Sequence, residues 1–328
     1  MNELPPAVVI SGPTAAGKTE VAIELAQLHP VDLISVDSAQ VYRGMNVGTA
    51  KPDPNTLAQY PHALIDIREP EQPYSAADFV RDASDKMLQS YNNGRIPLLV
   101  GGTTLYINAL RYGLDELPPA DASVRAELEA RARQIGWPAM HRELAEIDPL
   151  IGATIRPNDP QRIGRALEIH RLTGKRPSEL MSGRGPDRMC ASLFIVITAA
   201  DRAVLHQRID ARWQQMIEHG LVREVEQLMA RPGMSADSSV LRAVGYRQAI
   251  DYLNGEIGQD EFIRTGAAAT RQLAKRQLTT LRQFRGALWY DPFVTDKMQQ
   301  NPIDCTELVQ DRWQQEVCLG VHLPAGSV

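Results

Sequence analysis

The stretch ISGPTAAGKTEVAIELA, Ile10 to Ala26, constrains the fold of this chain more than any other. Gly12, Pro13, Thr14, Ala15, Ala16, Gly17, Lys18 and Thr19 satisfy the pattern G-x-x-x-x-G-K-[ST]. The apolar run AVVIS before them reads as a buried strand. TEVAIELAQL after them sets Val21, Ile23, Leu25 and Leu28 among helix formers and reads as a helix packed on a sheet. Strand, glycine loop and helix in that order aim successive backbone N–H groups and a helix N-terminus at an anion. Lys18 then neutralises the terminal phosphates, and the Thr19 hydroxyl is placed to ligate Mg²⁺. The motif identifies a bound polyphosphate and leaves the reaction open.

The remaining strand-like runs are DLISVDS (Asp32 to Ser38), HALIDI (His62 to Ile67), IPLLVGG (Ile96 to Gly102) and LFIVITA (Leu193 to Ala199). Helical patterns separate several of them, such as Ala76 to Gly94, which ends on Asn-Gly. The alternation predicts an α/β fold, a P-loop NTPase-like parallel sheet flanked by helices. It lapses between Leu117 and Met189, where polar-faced helices follow one another without a strand. An inserted all-helical domain is therefore expected at 117–189, with residues 1–116 and 190–328 forming the core. Asp201 to Val225 reads as one long amphipathic helix carrying Arg208 and Arg212 on one face, as a lid helix in a phosphate-loop kinase would. Pro292 to Val328 carries no chemical signature.

A chain of 328 residues, 43% hydrophobic, can bury a large core and is expected to hold two structural units. Its net charge of −5 argues against a uniformly basic nucleic-acid binder but leaves room for a local basic face. Cys190, Cys305 and Cys318 are isolated, which argues against a disulfide framework or a zinc site. No basic segment followed by a long apolar run opens the chain, and SLFIVITAA, the longest apolar stretch, is too short to cross a bilayer. A cytoplasmic protein with no membrane partner is expected.

In phosphate-loop folds the second substrate binds near the carboxyl ends of the parallel strands. Asp37 sits at such an end, in DSAQVYRG, where a carboxylate could reach magnesium through water, cap the next helix or act as a general base. GGTTLY follows another strand in the same way, with Thr103 offering a hydroxyl. The segment Arg264 to Arg285 holds six basic residues and no acidic one. At 100° per residue, Arg264, Arg271, Lys275 and Arg282 fall within about 40° of one another. Such a stripe on an otherwise acidic protein points to a nucleic-acid backbone. DPQRIGRALEIHR adds Arg162 and Arg165, and RAVGYRQ adds Arg242 and Arg247 around a glycine and an aromatic.

Taken in order, GPTAAGKT, DSAQVYRGMNVGTAKP, IDIREPEQPYSAADF, GGTTLY, NDPQRIGRALEI, RAVGYRQ and AKRQLTTLR span Gly12 to Arg282. Through them the chain resembles the tRNA dimethylallyltransferases, or bacterial-type tRNA isopentenyltransferases. The resemblance implies transfer of a dimethylallyl group from its diphosphate to N6 of adenosine 37 of tRNA, just 3′ of the anticodon. The phosphate loop would then hold a prenyl diphosphate with Mg²⁺, and ATP would not be needed. It also implies a monomer that binds the tRNA anticodon stem-loop.

By the same resemblance Asp37 is the general base and touches the target adenine, Thr19 and Arg212 stabilise the diphosphate, and Thr103 lies in the reaction channel. The matching tRNA-contacting positions are Asp37-Ser38-Ala39-Gln40, Arg125, Gln161-Arg162-Ile163-Gly164-Arg165, Arg242-Ala243-Val244-Gly245-Tyr246-Arg247 and Lys275-Arg276-Gln277-Leu278-Thr279-Thr280-Leu281-Arg282. Two positions depart from the family pattern: Thr280 stands where tryptophan is common, and Ala63 where a second histidine often stands. Three other readings compete. A small-molecule kinase or a prenyltransferase of free adenine nucleotides would leave the basic stripe unexplained. A non-catalytic RNA-binding protein would have no use for an intact Lys18, Thr19 and Asp37.

Overall fold

A computed structural model describes residues 4–181, 185–189, 192–236 and 238–293; most of the C-terminal stretch and all three cysteines lie outside the described residues. Among the described residues six strands form one parallel sheet: β1 (Val8–Ser11), β2 (Val31–Ser35), β3 (His62–Ala63), β4 (Ile96–Gly101), β5 (Leu193–Ile197) and β6 (Leu288–Tyr290). Their spatial order is β3-β2-β4-β1-β5-β6. The helices around the sheet are α1 (Lys18–Leu28), α2 (Pro54–Gln59), α3 (Ala76–Asn92) and α4 (Thr104–Tyr112). A helical run follows: α5 (Ala122–Ile135), α6 (Trp137–Ile147), α7 (Pro149–Thr154), α8 (Pro160–Thr173) and α9 (Pro177–Leu180). After β5 come α10 (Arg202–Glu218), α11 (Leu221–Met229), α12 (Tyr246–Leu253) and α13 (Gln259–Leu281).

The central strands are apolar on both faces because helices cover both. Successive side chains alternate between the faces. Val8 and Ile10, with Leu98, Val100, Leu193 and Ile195, pack against Val21, Ala22 and Leu25 of α1. Val9, Leu99, Phe194 and Val196 point the other way, into the core that holds Phe79 and Met87 of α3, Trp213 and Phe262. Each such side chain contributes about 1.5–3 kcal/mol of burial. No helix among the described residues is long and apolar enough to cross a membrane.

The chain divides into two compact units, one of residues up to Arg111 and from Asp187 onward, the other Tyr112–Pro186. Both crossings are pinned within the first unit. The Arg111 guanidinium meets Asp187 at 2.5 Å, and the Arg188 N–H donates to the Arg111 carbonyl at 2.7 Å. The borders lie a few residues ahead of the 117–189 read from the lapse of strand patterns. The second unit has its own core, including Leu128, Met140, Leu144, Ile163 and Leu167. Asp121, Asp148 and Asp159 accept N–H groups at the starts of α5, α7 and α8, and Gly174 ends α8 in the left-handed region.

Local structure departs from the sequence pattern in three places. HALIDI keeps only two strand residues, because Leu64 and Asp66 have φ of +67° and +53° and the chain folds back onto the loop after β2. The helix expected from Asp201 to Val225 breaks at Gly220, φ +94°, into α10 and α11. The short β6 lacks the length that reveals a strand in sequence.

Where α10 meets α13, a side chain at Gly266 would put its first carbon 2.0 Å from the Trp213 ring, whose Nε1 donates to the Ile263 carbonyl at 3.0 Å. Gly266→Ala must therefore push the helices apart and should lower stability by about 2 kcal/mol or more. In urea melts the midpoint should fall at constant m-value; an unshifted midpoint would refute the packing argument.

Candidate active site

Strand order makes neighbours of three loops that are distant in sequence. β2, β4 and β1 lie side by side and parallel, so their carboxyl ends release Asp37, Thr103 and the phosphate loop at one edge. Cross-links join the loops. The Ser11 hydroxyl donates to the Gly101 carbonyl at 2.9 Å, and the Ser38 N–H donates to Thr103 Oγ1 at 3.1 Å. Gly101 and Gly12 are required by approach of the main chains. A Cβ at Gly101 would lie 2.1 Å from the Val36 carbonyl oxygen, and one at Gly12 2.1 Å from that of Ile197.

The phosphate loop turns through Ala15 and Gly17, at φ +62° and +85°, before α1 begins at Lys18. Two of its carbonyls are held by cationic side chains. Lys18 Nζ donates to the Pro13 carbonyl at 2.7 Å, and Arg208 Nε of α10 to that of Ala15 at 2.9 Å. The Arg208 guanidinium also stacks 4.1 Å from the centre of the Phe293 ring, in a stretch where sequence alone showed no signature. Arg208 is thus committed to the loop, whereas Arg212, one turn on, makes no hydrogen bond or ion pair among the described residues. Arg212 is half-buried and lines a cavity of about 460 Å³, with Asn46, Val47, Lys51, Asp66 and Met216 also on its wall.

Arg212 and Asp37 sit close enough to Lys18 to act on its charge. Burial, and secondarily the Arg212 charge, lower the Lys18 ammonium to about 8, against the opposing pull of Asp37 and Glu20. Burial also lowers Arg212; Glu20 and Asp37 oppose that shift, and the Arg208 charge adds to it. Two cations drawn out of water at one place suit an anionic ligand that would compensate their burial.

Asp37 Oδ1 accepts the Ala39 and Gln40 N–H groups at 2.8 and 3.2 Å, which leaves Oδ2 outside these turn bonds. The loop that follows is clamped from several sides. Gln40 Nε2 donates to the Thr49 carbonyl at 3.2 Å, and the buried Lys51 ammonium meets Asp66 at 2.6 Å. Glu224 of α11 accepts the N–H groups of Asn46, Val47 and Gly48 at 2.8, 2.7 and 3.0 Å, and the Tyr246 hydroxyl at 2.6 Å. Sequence reasoning missed Glu224. Its signal is a carboxylate between Leu221 and Val225 on the apolar face of a helix, where a charge needs fixed partners.

The basic stripe and the residues matched to RNA-contacting regions differ in what they face. Lys275, Arg276, Arg282, Arg242 and Arg247 are exposed, as is Arg162, which also approaches Asp159. Arg264 pairs with Glu261, and Arg271 with Asp210, so two members of the stripe are locally neutralised. Arg125 and Arg165 both bind Glu168, which is fully buried. Burial raises its carboxyl, but hydrogen bonds from Arg125, Arg165 and the Asp121 N–H outweigh that and hold it below the usual range. Ile163, Tyr246 and Leu281 are fully buried and build cores instead of facing a partner. Gln277 turns inward, onto Thr14 and Gly102.

Comparison with known proteins places this arrangement in context. The family pattern described as IPP transferase matches residues 40–284. The chain is 50% identical over 300 residues to tRNA dimethylallyltransferase 2 of Hahella chejuensis, covering 87% of this chain and 90% of that one. Among solved structures it resembles the full-length tRNA isopentenylpyrophosphate transferase of Bacillus halodurans, at 37% identity and a TM-score of 0.69 over 97% of this chain and 99% of that one. The tRNA delta(2)-isopentenylpyrophosphate transferase of Staphylococcus epidermidis aligns at 30% identity and a TM-score of 0.63, covering 95% and 98%. A eukaryotic dimethylallyltransferase acting on tRNA shares the fold at 23% identity and a TM-score of 0.70, over 96% of this chain and 77% of that one.

The Lys18 shift has a measurable consequence. With its ammonium lowered to about 8, Lys18 is mostly neutral in the empty site above that pH. An anion that binds it restores the charge, so binding above pH 8 should take up a proton and weaken as pH rises. Calorimetry with inorganic pyrophosphate and Mg²⁺ at about pH 9, in buffers of different ionisation heat, should show about one proton more taken up by wild type than by Lys18→Met. Identical proton uptake in both proteins would remove Lys18 from the site.

Proposed function

This chain belongs to the IPP transferase family, and on that premise we propose that it transfers the dimethylallyl group of dimethylallyl diphosphate to N6 of adenosine 37 of tRNA, releasing diphosphate. The observation that carries the reading is Arg212, a half-buried guanidinium beside Lys18 and Asp37 that is unpaired among the described residues. Two cations and a carboxylate on converging loops suit a reaction in which an anion leaves and a proton is removed.

The N6 lone pair is conjugated with the purine ring, so the amine is a weak nucleophile. As N6 bonds to C1 of the donor, the C1–O bond breaks and its electron pair stays on the diphosphate. The N6 proton passes to the Asp37 carboxylate, whose Oδ1 is fixed by two N–H groups of its own turn. Lys18, Arg212 and the N–H groups of the phosphate loop balance the charge that develops on the leaving oxygen. Thr103, tied to the Ser38 N–H, borders the space between the substrates.

Mg²⁺ suits this donor set. The Thr19 hydroxyl makes no hydrogen bond among the described residues, and there no three Asp, Glu, His or Cys side chains gather into a cage. A hard cation that keeps waters and rides on phosphate oxygens needs little more than that hydroxyl from the protein. Bound there, Mg²⁺ would neutralise diphosphate charge.

Exposed Lys275, Arg276 and Arg282, with Arg242 and Arg247, supply cations for an RNA backbone. Arg125, Arg162, Arg165 and Gln161 of the helical unit would take the anticodon stem. The target base must leave the anticodon-loop stack to reach Asp37. The protein would act as a cytoplasmic monomer on one tRNA.

The test is label transfer. Unmodified tRNA, Mg²⁺ and dimethylallyl diphosphate labelled in its prenyl carbons, without ATP, should yield N6-dimethylallyladenosine in the RNA. Label on AMP instead would indicate a free-nucleotide prenyltransferase, and consumption of ATP alone a kinase. Asp37→Ala should cut turnover at least about 100-fold while RNA affinity changes far less. Full activity in that variant would end the general-base assignment.

A further inference from the structure

We propose that Gln277 is a positioning residue for the donor's diphosphate, whereas its sequence context groups it with RNA-contacting residues. The proposal rests on the function argued above and assigns to this side chain a role at the other substrate. Gln277 Oε1 accepts the Thr14 N–H of the phosphate loop at 3.0 Å. Its Nε2 donates to the carbonyl of Gly102, directly before Thr103, at 2.9 Å. One amide thus staples two loops that are 263 and 175 residues away in sequence.

The helix is seated so that this staple is firm. Ala274 and Leu278, on the same side of α13, pack with Ala15 of the phosphate loop and with Leu205 and Ile209 of α10. Lys275 and Arg276 are exposed, so adjacent residues of one helix face solvent and the phosphate loop. Gly102 completes the fit. A Cβ there would stand 2.5 Å from Gln277 Nε2, so a side chain at this position would displace the amide.

The two bonds require one acceptor and one donor at the end of a side chain of this length, which an amide supplies and a carboxylate does not. By engaging the Thr14 N–H, Gln277 fixes the path of the loop so that its other N–H groups converge on the anion. By engaging the Gly102 carbonyl, it sets the distance between that anion and Thr103.

Two ligands, titrated separately, test this: inorganic pyrophosphate with Mg²⁺, and an anticodon stem-loop RNA. Gln277→Ala should raise the pyrophosphate Kd about tenfold, as expected for two lost hydrogen bonds, and leave the RNA Kd within about twofold. With both substrates present, the loss should fall on the donor KM more than on kcat. Gln277→Glu keeps an acceptor for Thr14 but sets a negative charge beside the diphosphate, and should bind pyrophosphate less well than Gln277→Ala. Weakened RNA binding with unchanged pyrophosphate affinity would overturn the proposal. Should Gln277→Ala fail to fold, Gly102→Ala serves instead. Its methyl strikes the amide and should weaken pyrophosphate alone; wild-type affinity there would also overturn the proposal. Wild type that neither binds pyrophosphate nor transfers label would refute the proposed function, whereas wild type that binds it with Gln277→Ala unimpaired would refute only the role of Gln277.

Discussion

At the carboxyl end of the sheet, main chain runs against main chain with no room for a side chain. A Cβ at Gly12 or Gly101 would meet a neighbouring carbonyl oxygen at 2.1 Å. The rest of the site depends on these two approaches. The first seats the loop after β1 against the end of β5, and the second brings the loops after β2 and β4 together, so that Asp37, Thr103 and the phosphate loop border one small volume. The parallel strand order sets the loops side by side, and the absent Cβ atoms let them touch.

Around that volume most polar groups are committed to other parts of the protein. Arg208 holds a loop carbonyl, Glu224 collects three N–H groups and a hydroxyl, and Lys51 is locked against Asp66. Such commitment is what makes Arg212 informative. A half-buried guanidinium without a partner among the described residues suits a ligand that completes it, and desolvation strengthens its attraction for an anion. The same logic separates the arginines of the helical unit. Arg125 and Arg165 share the buried Glu168, which fixes their side chains while leaving donors on each planar fork.

Much of this was legible in the sequence. The phosphate loop, the parallel sheet, Asp37 and Thr103 at strand ends, and the helical insertion follow from glycine spacing, apolar period and the lapse of strand patterns. The basic stripe was legible only as a pattern of charges. Arg271 is neutralised by Asp210, 61 residues away in sequence and on another helix, and helical periodicity is blind to that. Tyr246 illustrates the converse. Tyr246 falls among the positions matched to RNA contacts, yet its ring packs on Gly48 and its hydroxyl binds Glu224. Burial and that carboxylate push its own titration far up.

The sequence by itself determined the class of fold and the chemistry within reach, because both are encoded locally: a loop motif between a strand and a helix, and ionisable residues at strand ends. Tertiary structure alone decided which charged groups are spent and which are free. It also turned Gln277 toward the phosphate loop and made a clamp of Glu224. Those outcomes depend on partners brought together across 22, 61, 175 or 263 residues, and the state of a polar group is set by what it faces once water is excluded.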